Sequence, residues 1–132
     1  MIYEKPTDIN NCLDNPMLFQ WIIDALPLPI FYRDTKGIYK TCNTAYERFI
    51  GFTRQKIVGK TIFDIHPKNL AEIYARRDKE LLESSGDQIF ETKVKSSDDS
   101  IRHVIFQKSV LKNDAGEIIG IVGSIFDITE RK

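Results

Sequence analysis

The stretch Gly51 to Thr61 reads GFTRQKIVGKT and closes on Gly-Lys-Thr, the ending of a phosphate-cradling loop. That chemistry needs a further glycine five residues before the second, so that the backbone curls and aims several N–H groups at one phosphate. Arg54 holds the position instead. The residues ahead, Thr44 to Phe52, are spaced as a helix where a phosphate loop follows a buried strand, and Pro67 interrupts the chain soon after Thr61. Gly59 is better placed as the left-handed residue ending a short turn, which leaves Lys60 as a solvated cation.

Few other residues are equipped for chemistry. An Asp64–His103 pair is what a small α+β cone enzyme would use, but no nucleophile elbow, zinc-binding helix or paired-carboxylate motif accompanies it. His66, before Pro67 in a loop, reads as a surface or capping residue; His103 stands mid-strand between Ile101 and Ile105, where its face is open. Cys12 and Cys42 show no metal-ligand spacing, and no metal site is expected. Arg77 is the sharpest polar group. On an otherwise apolar helical stripe, it either reaches outward or meets a carboxylate or phosphate.

The elements that must position these groups follow from pattern. Asn15 and Pro16 start a helix over 16–26, behind a flexible tail at 1–15. Phe19, Ile22, Ile23 and Leu26 form one stripe of that helix, leaving Met17, Leu18 and Trp21 for a second face. Such a surplus of apolar surface either packs on its own domain or meets a partner chain, and a homodimer through this helix is expected. Then IFYRD, TKG and IYKTC give a hairpin with Gly37 in the turn. Asn43 caps the helix TAYERFIGF, and Thr53 caps a short turn with Ile57 and Val58 inward. The segment after Pro67 is a longer helix with Leu70, Ile73, Tyr74, Arg77 and Leu81 on one face. QIFETKVK, IRHVIFQKSVL and IIGIVGSIFDI follow as an antiparallel meander. This order predicts an α+β fold, one antiparallel sheet covered on one face by the middle helices.

With 132 residues the chain fits one domain, and its 19 basic and 19 acidic residues offer no net charge to nucleic acid or anionic membrane. No apolar run approaches a membrane span, and residues 1–16 lack an apolar signal region; a cytoplasmic, reduced setting is expected.

In sequence, the hairpin FYRDTKGIYKTCN running into TAYERFIGFT, the block RQKIVGKTIFDIHP and the closing GIVGSIFDITERK resemble the PAS domain, the sensory module of signalling proteins. The resemblance covers Phe19 to Lys132, with the PAS domain proper taken as 27–132. It implies a five-stranded antiparallel sheet in the order 2-1-5-4-3, short helices over one face and a cavity between them. It further implies a regulatory module, not an enzyme, that binds a small ligand and relays the signal to a C-terminal effector of histidine kinase or diguanylate cyclase type within a longer protein. The alternative is a ligand-free PAS module serving dimerisation and protein–protein contact. Haem-binding members carry a histidine on the long helix, near Tyr74 here, and that helix has none. Flavin photosensors carry a cysteine and a glutamine where this chain has Ile62 and Ile125. The cofactor stays unassigned. Residues expected at the ligand are Asn43, Tyr74, Arg77, His103 and Ser124, with Gln107 as an alternative on the sheet, and Phe49, Phe63, Phe90 and Phe106 as apolar wall.

Overall fold

Asn43 occupies the junction on which the first half of the chain is assembled. It has no solvent exposure, and its Oδ1 accepts the N–H of Tyr46 at 3.0 Å and that of Ile30 at 2.9 Å. Its Nδ2 donates to the carbonyls of Ile23 and Leu28 at 2.8 and 2.9 Å. One side chain thereby joins the end of the first helix, the start of the first strand and the cap of the second helix, satisfying backbone groups that would otherwise be buried unpaired.

The computed structural model describes residues 15–131. Helix α1 spans Leu18–Asp24, strand β1 Ile30–Asp34 and β2 Tyr39–Cys42. The middle block holds α2 (Thr44–Ile50), α3 (Arg54–Ile57), α4 (Ile62–Ile65) and α5 (Lys68–Ser84); β3 (Asp87–Lys95), β4 (Ile101–Lys112), β5 (Ile118–Asp127) and a short 3-10 turn at Thr129–Arg131 follow. The five strands pair antiparallel in the order β2-β1-β5-β4-β3, as the resemblance implied. Apart from Asn15, the tail expected at 1–15 lies outside the described residues.

Strand alternation decides which side chains meet the helices. Phe31 and Arg33 of β1, Val104, Phe106 and Lys108 of β4, and Ile121 and Ile125 of β5 are buried. Gly123 stands between the last two because a Cβ there would lie 2.3 Å from the Phe31 ring. The core comprises Phe31, Tyr39, Cys42, Tyr46, Ile57, Val104, Phe106 and Ile125.

The Gly-Lys-Thr stretch resolves into three local roles. Gly59 has φ +87° and donates its N–H to the Tyr39 carbonyl at 2.9 Å, latching the end of the α3 turn to β2. Lys60 is exposed, while its carbonyl accepts the Tyr39 N–H at 2.9 Å. Thr61 caps α4 in a reciprocal box with Asp64.

Several local expectations are corrected. Helix α1 begins at Leu18, and Asn15 instead accepts the Met17 N–H at 2.8 Å. Of its expected stripe only Ile23 is buried; Phe19, Ile22 and Leu26 are exposed. The helix is held by polar groups, Gln20 donating to the Cys42 carbonyl at 3.0 Å and Asp24 accepting from the Thr44 N–H at 3.0 Å and from Arg54 at 2.7 Å. Thr53 makes no side-chain cap, the Arg54 N–H being taken by Glu47 at 2.9 Å, and Val58 is exposed. On α5 the buried residues are Ala71, Asp78 and Leu81, whereas Leu70 and Ile73 are each 37% exposed, Leu70 at the lining of the cavity between sheet and helices.

Candidate functional site

Between the sheet and helices α2, α4 and α5 lies a cavity of about 290 Å³. Phe31, Phe49, Ile50, Ile65, Phe90, Phe106 and Ile125 supply most of its apolar wall. Its rings are in contact: Phe90 stacks on Phe106 with centroids 5.1 Å apart, Tyr74 tilts onto Phe106 at 5.9 Å, and His66 meets Tyr74 edge-on at 5.0 Å.

The polar part of the lining is concentrated on Arg33, Lys108, Tyr39, Tyr46 and His66. Behind it stands Asp78 of α5. Arg33 donates Nε–H to Asp78 Oδ2 at 3.1 Å, and its Nη2 lies 2.8 Å from the same oxygen. Lys108 Nζ donates to Asp78 Oδ1 at 2.7 Å. All three are buried: Arg33 is 4% exposed, Asp78 7% and Lys108 2%. Arg33 Nη1 reaches the Tyr39 hydroxyl at 3.3 Å, which lies 2.9 Å from the Tyr46 hydroxyl and 3.1 Å from His66 Nε2. A continuous polar chain thus runs from α5 through β1 and β2 to the loop after α4.

The electrostatics follow from burial beside two cations. His66 is depressed to about 4, first by burial and then by the Arg33 charge, so its ring is neutral at pH 7. Burial raises the Tyr46 hydroxyl well above the ordinary tyrosine value, with Tyr39 adding to it, and burial likewise raises Tyr74. Burial lowers Lys108 while Asp78 pulls it back. The Cys42 thiol is pushed up to about 11, chiefly by burial, which makes it a packing residue instead of a nucleophile.

Four of the expected site residues, Phe49, Tyr74, Phe90 and Phe106, line this cavity. The other five are placed elsewhere. Asn43 spends its hydrogen bonds on backbone groups. Phe63 follows the inward Ile62 in a one-turn helix and is 53% exposed, facing a separate groove. Arg77 places its Cζ over the Phe90 ring, 3.6 Å from the centroid, in an outer groove with Arg76 and Glu80. His103 and Gln107 belong to the residues of β4 that alternate with inward Val104, Phe106 and Lys108; Ser124 alternates likewise with inward Gly123 and Ile125. Asp64 is committed to Thr61, and no hydrogen bond joins it to His103 among the described residues.

Sequence reading missed Arg33, Tyr39, Tyr46, His66, Asp78 and Lys108. A signal existed for three of them. Asp78 completes a helical stripe with Ala71, Tyr74 and Leu81, Lys108 stays in step with Val104 and Phe106, and Arg33 with Phe31.

Comparison with known proteins places this architecture. The family model described as PAS fold matches residues 23–132. The chain belongs to the PAS-fold family. The virulence sensor protein BvgS of Bordetella pertussis is 32% identical over 123 residues, covering 83% of this chain and 9% of that protein. BvgS of Bordetella bronchiseptica is 33% identical over 114 residues, with the same coverage. The chain therefore spans only a small part of the curated relatives it matches. The structure of the PAS domain from Bordetella pertussis BvgS superposes with TM-score 0.76 at 29% identity, over 89% of each chain. VqmA bound to DPO shares the fold, with TM-score 0.76 at 20% identity, over 84% of this chain and 56% of that one. Among the described residues, no helix of this PAS domain is long and apolar enough to cross a membrane.

Proposed function

We propose that this PAS domain is a sensory input module that binds a small organic molecule in the cavity between sheet and helices and passes its occupancy to a linked effector. The observation that carries the reading is the cavity itself: about 290 Å³ bounded by an aromatic wall and one convergent group of polar side chains. Helices α2, α3 and α4 are only seven, four and four residues long, so their packing can shift at little cost when the cavity fills. A sensor protein with this domain, BvgS, and a VqmA described with DPO bound support the direction of the inference. The effector would be of histidine kinase or diguanylate cyclase type, the setting cytoplasmic, and the domain itself without catalytic activity.

The exposed apolar side chains of α1 favour a second role beside the first. Met17, Phe19, Trp21 and Ile22 are each about half exposed or more, a surface that a second copy of the chain would cover.

Native mass spectrometry of the protein isolated from its source cells, set against the mass of the unfolded chain, tests the ligand reading. A bound species of roughly drug-like size or smaller, released on unfolding, is the expected result. A folded protein with the bare chain mass would leave dimerisation as the domain's role.

A further inference from the structure

We propose that the cavity takes a monocarboxylate with a compact, ring-sized apolar body, its carboxylate held by Lys108 and Arg33; this rests on the sensory reading given above. Charge at the cavity surface is unbalanced. Among the described residues, its lining holds the cations Arg33, Lys95 and Lys108 and no aspartate or glutamate. Lys95 is exposed and faces Asp99 at 3.6 Å, but Arg33 and Lys108 are buried and share one carboxylate, Asp78, which does not line the cavity. Two buried cations against one buried anion leave one positive charge in excess in a medium of low dielectric, an imbalance to which burial already responds by lowering Lys108 while Asp78 opposes it.

Among the described residues, no neighbour of Arg33 and Lys108 supplies the missing charge. Tyr46 and Tyr74 keep their hydroxyl protons, and His66 is an uncharged imidazole at pH 7. Donors are also in surplus. Lys108 Nζ has three N–H bonds and gives one to Asp78; Arg33 Nη1 has two and gives one to Tyr39. These donors belong to a cavity whose other walls are aromatic and aliphatic. An acid with one charge balances the excess, whereas a phosphate monoester would reverse it. At about 290 Å³ the cavity stands at the small end of the roughly 300–1,000 Å³ range of small-molecule pockets, which suits a compact ligand.

The same geometry links occupancy to packing. A carboxylate arriving at Lys108 shares that cation with Asp78, and Asp78 is the residue through which α5 is tied to β1 and β4. Filling the cavity therefore changes how firmly α5 is held to the sheet.

The experiment is an amide-resonance NMR titration with matched fragment pairs, each a monocarboxylic acid and its primary amide, beginning with phenylacetate and phenylacetamide. The expected result is that acids shift cavity resonances and bind at least tenfold more tightly than their amides. Lys108→Met should abolish the difference while Lys112→Met, exposed on the same strand, retains it. Equal binding of acids and amides inside the cavity overturns the carboxylate assignment and leaves the ligand reading standing. Binding of neither class by the folded protein overturns both. The spectrum of Lys108→Met itself reports whether the variant is folded.

Discussion

Lys108 Nζ lies 2.7 Å from Asp78 Oδ1, so the middle of β4 is joined to α5 by an ion pair that solvent barely reaches. Arg33 of β1 takes the same carboxylate, and the three charges are not equivalent. Removing the shared anion strands two buried cations, whereas removing one cation leaves a matched pair. Asp78→Asn is expected to cost about 3–5 kcal/mol and Lys108→Met to be neutral or stabilising by up to about 2 kcal/mol. Urea unfolding of the two variants checks this, and equal losses would contradict the charge count.

His66 gives the fold a pH dependence of definite sign. Its folded value of about 4 lies below the 6.5 of an unfolded histidine. The unfolded chain therefore gains a proton as pH falls from about 6.5, which the folded chain refuses until about 4. Stability from this residue is present above 6.5 and lost on acidification through that window. Relative to His66→Gln, the wild type should lose roughly 3 kcal/mol between pH 7 and pH 4. Parallel stability curves for the two proteins would show that His66 titrates normally.

Gly123→Ala should act on the cavity from behind. The added methyl would lie 2.3 Å from the Phe31 ring, which lines the cavity, so the ring must move into that space. A loss of about 1–3 kcal/mol is expected from such overpacking. Weaker uptake of any cavity ligand should accompany it, read by the same NMR titration.

The exposed apolar side of α1 predicts self-association. Trp21→Glu should shift the molar mass measured by light scattering from dimer to monomer without lowering the melting temperature of the domain, because Trp21 is 55% exposed. A wild type that stays monomeric at high concentration would contradict the prediction.

The hairpin, the middle helices and the closing meander are legible because period-two and period-3.6 patterns, with glycine at the turns, all point the same way, whereas the sheet order came only with the PAS resemblance. The polar centre of the cavity was not. Charged residues are assigned to solvent by default, and Arg33, Asp78 and Lys108 become stable inside only through one another, from β1, α5 and β4. Their pairing spans 45 and 30 residues of chain, a distance no local pattern crosses. Helix α1 misled for the opposite reason. Its apolar residues invited an inward stripe, yet Gln20 and Asp24 hold it to the domain and the apolar side is left outside.

Ligand occupancy is proposed to set how the middle helices pack on the sheet. Backbone amide hydrogen exchange addresses this most directly, comparing protein as isolated from its source cells with the same protein unfolded, dialysed and refolded. Faster exchange after refolding, concentrated in residues 44–84 and small in the paired centres of β4 and β5, is the predicted result. Superimposable exchange along the whole chain would contradict it.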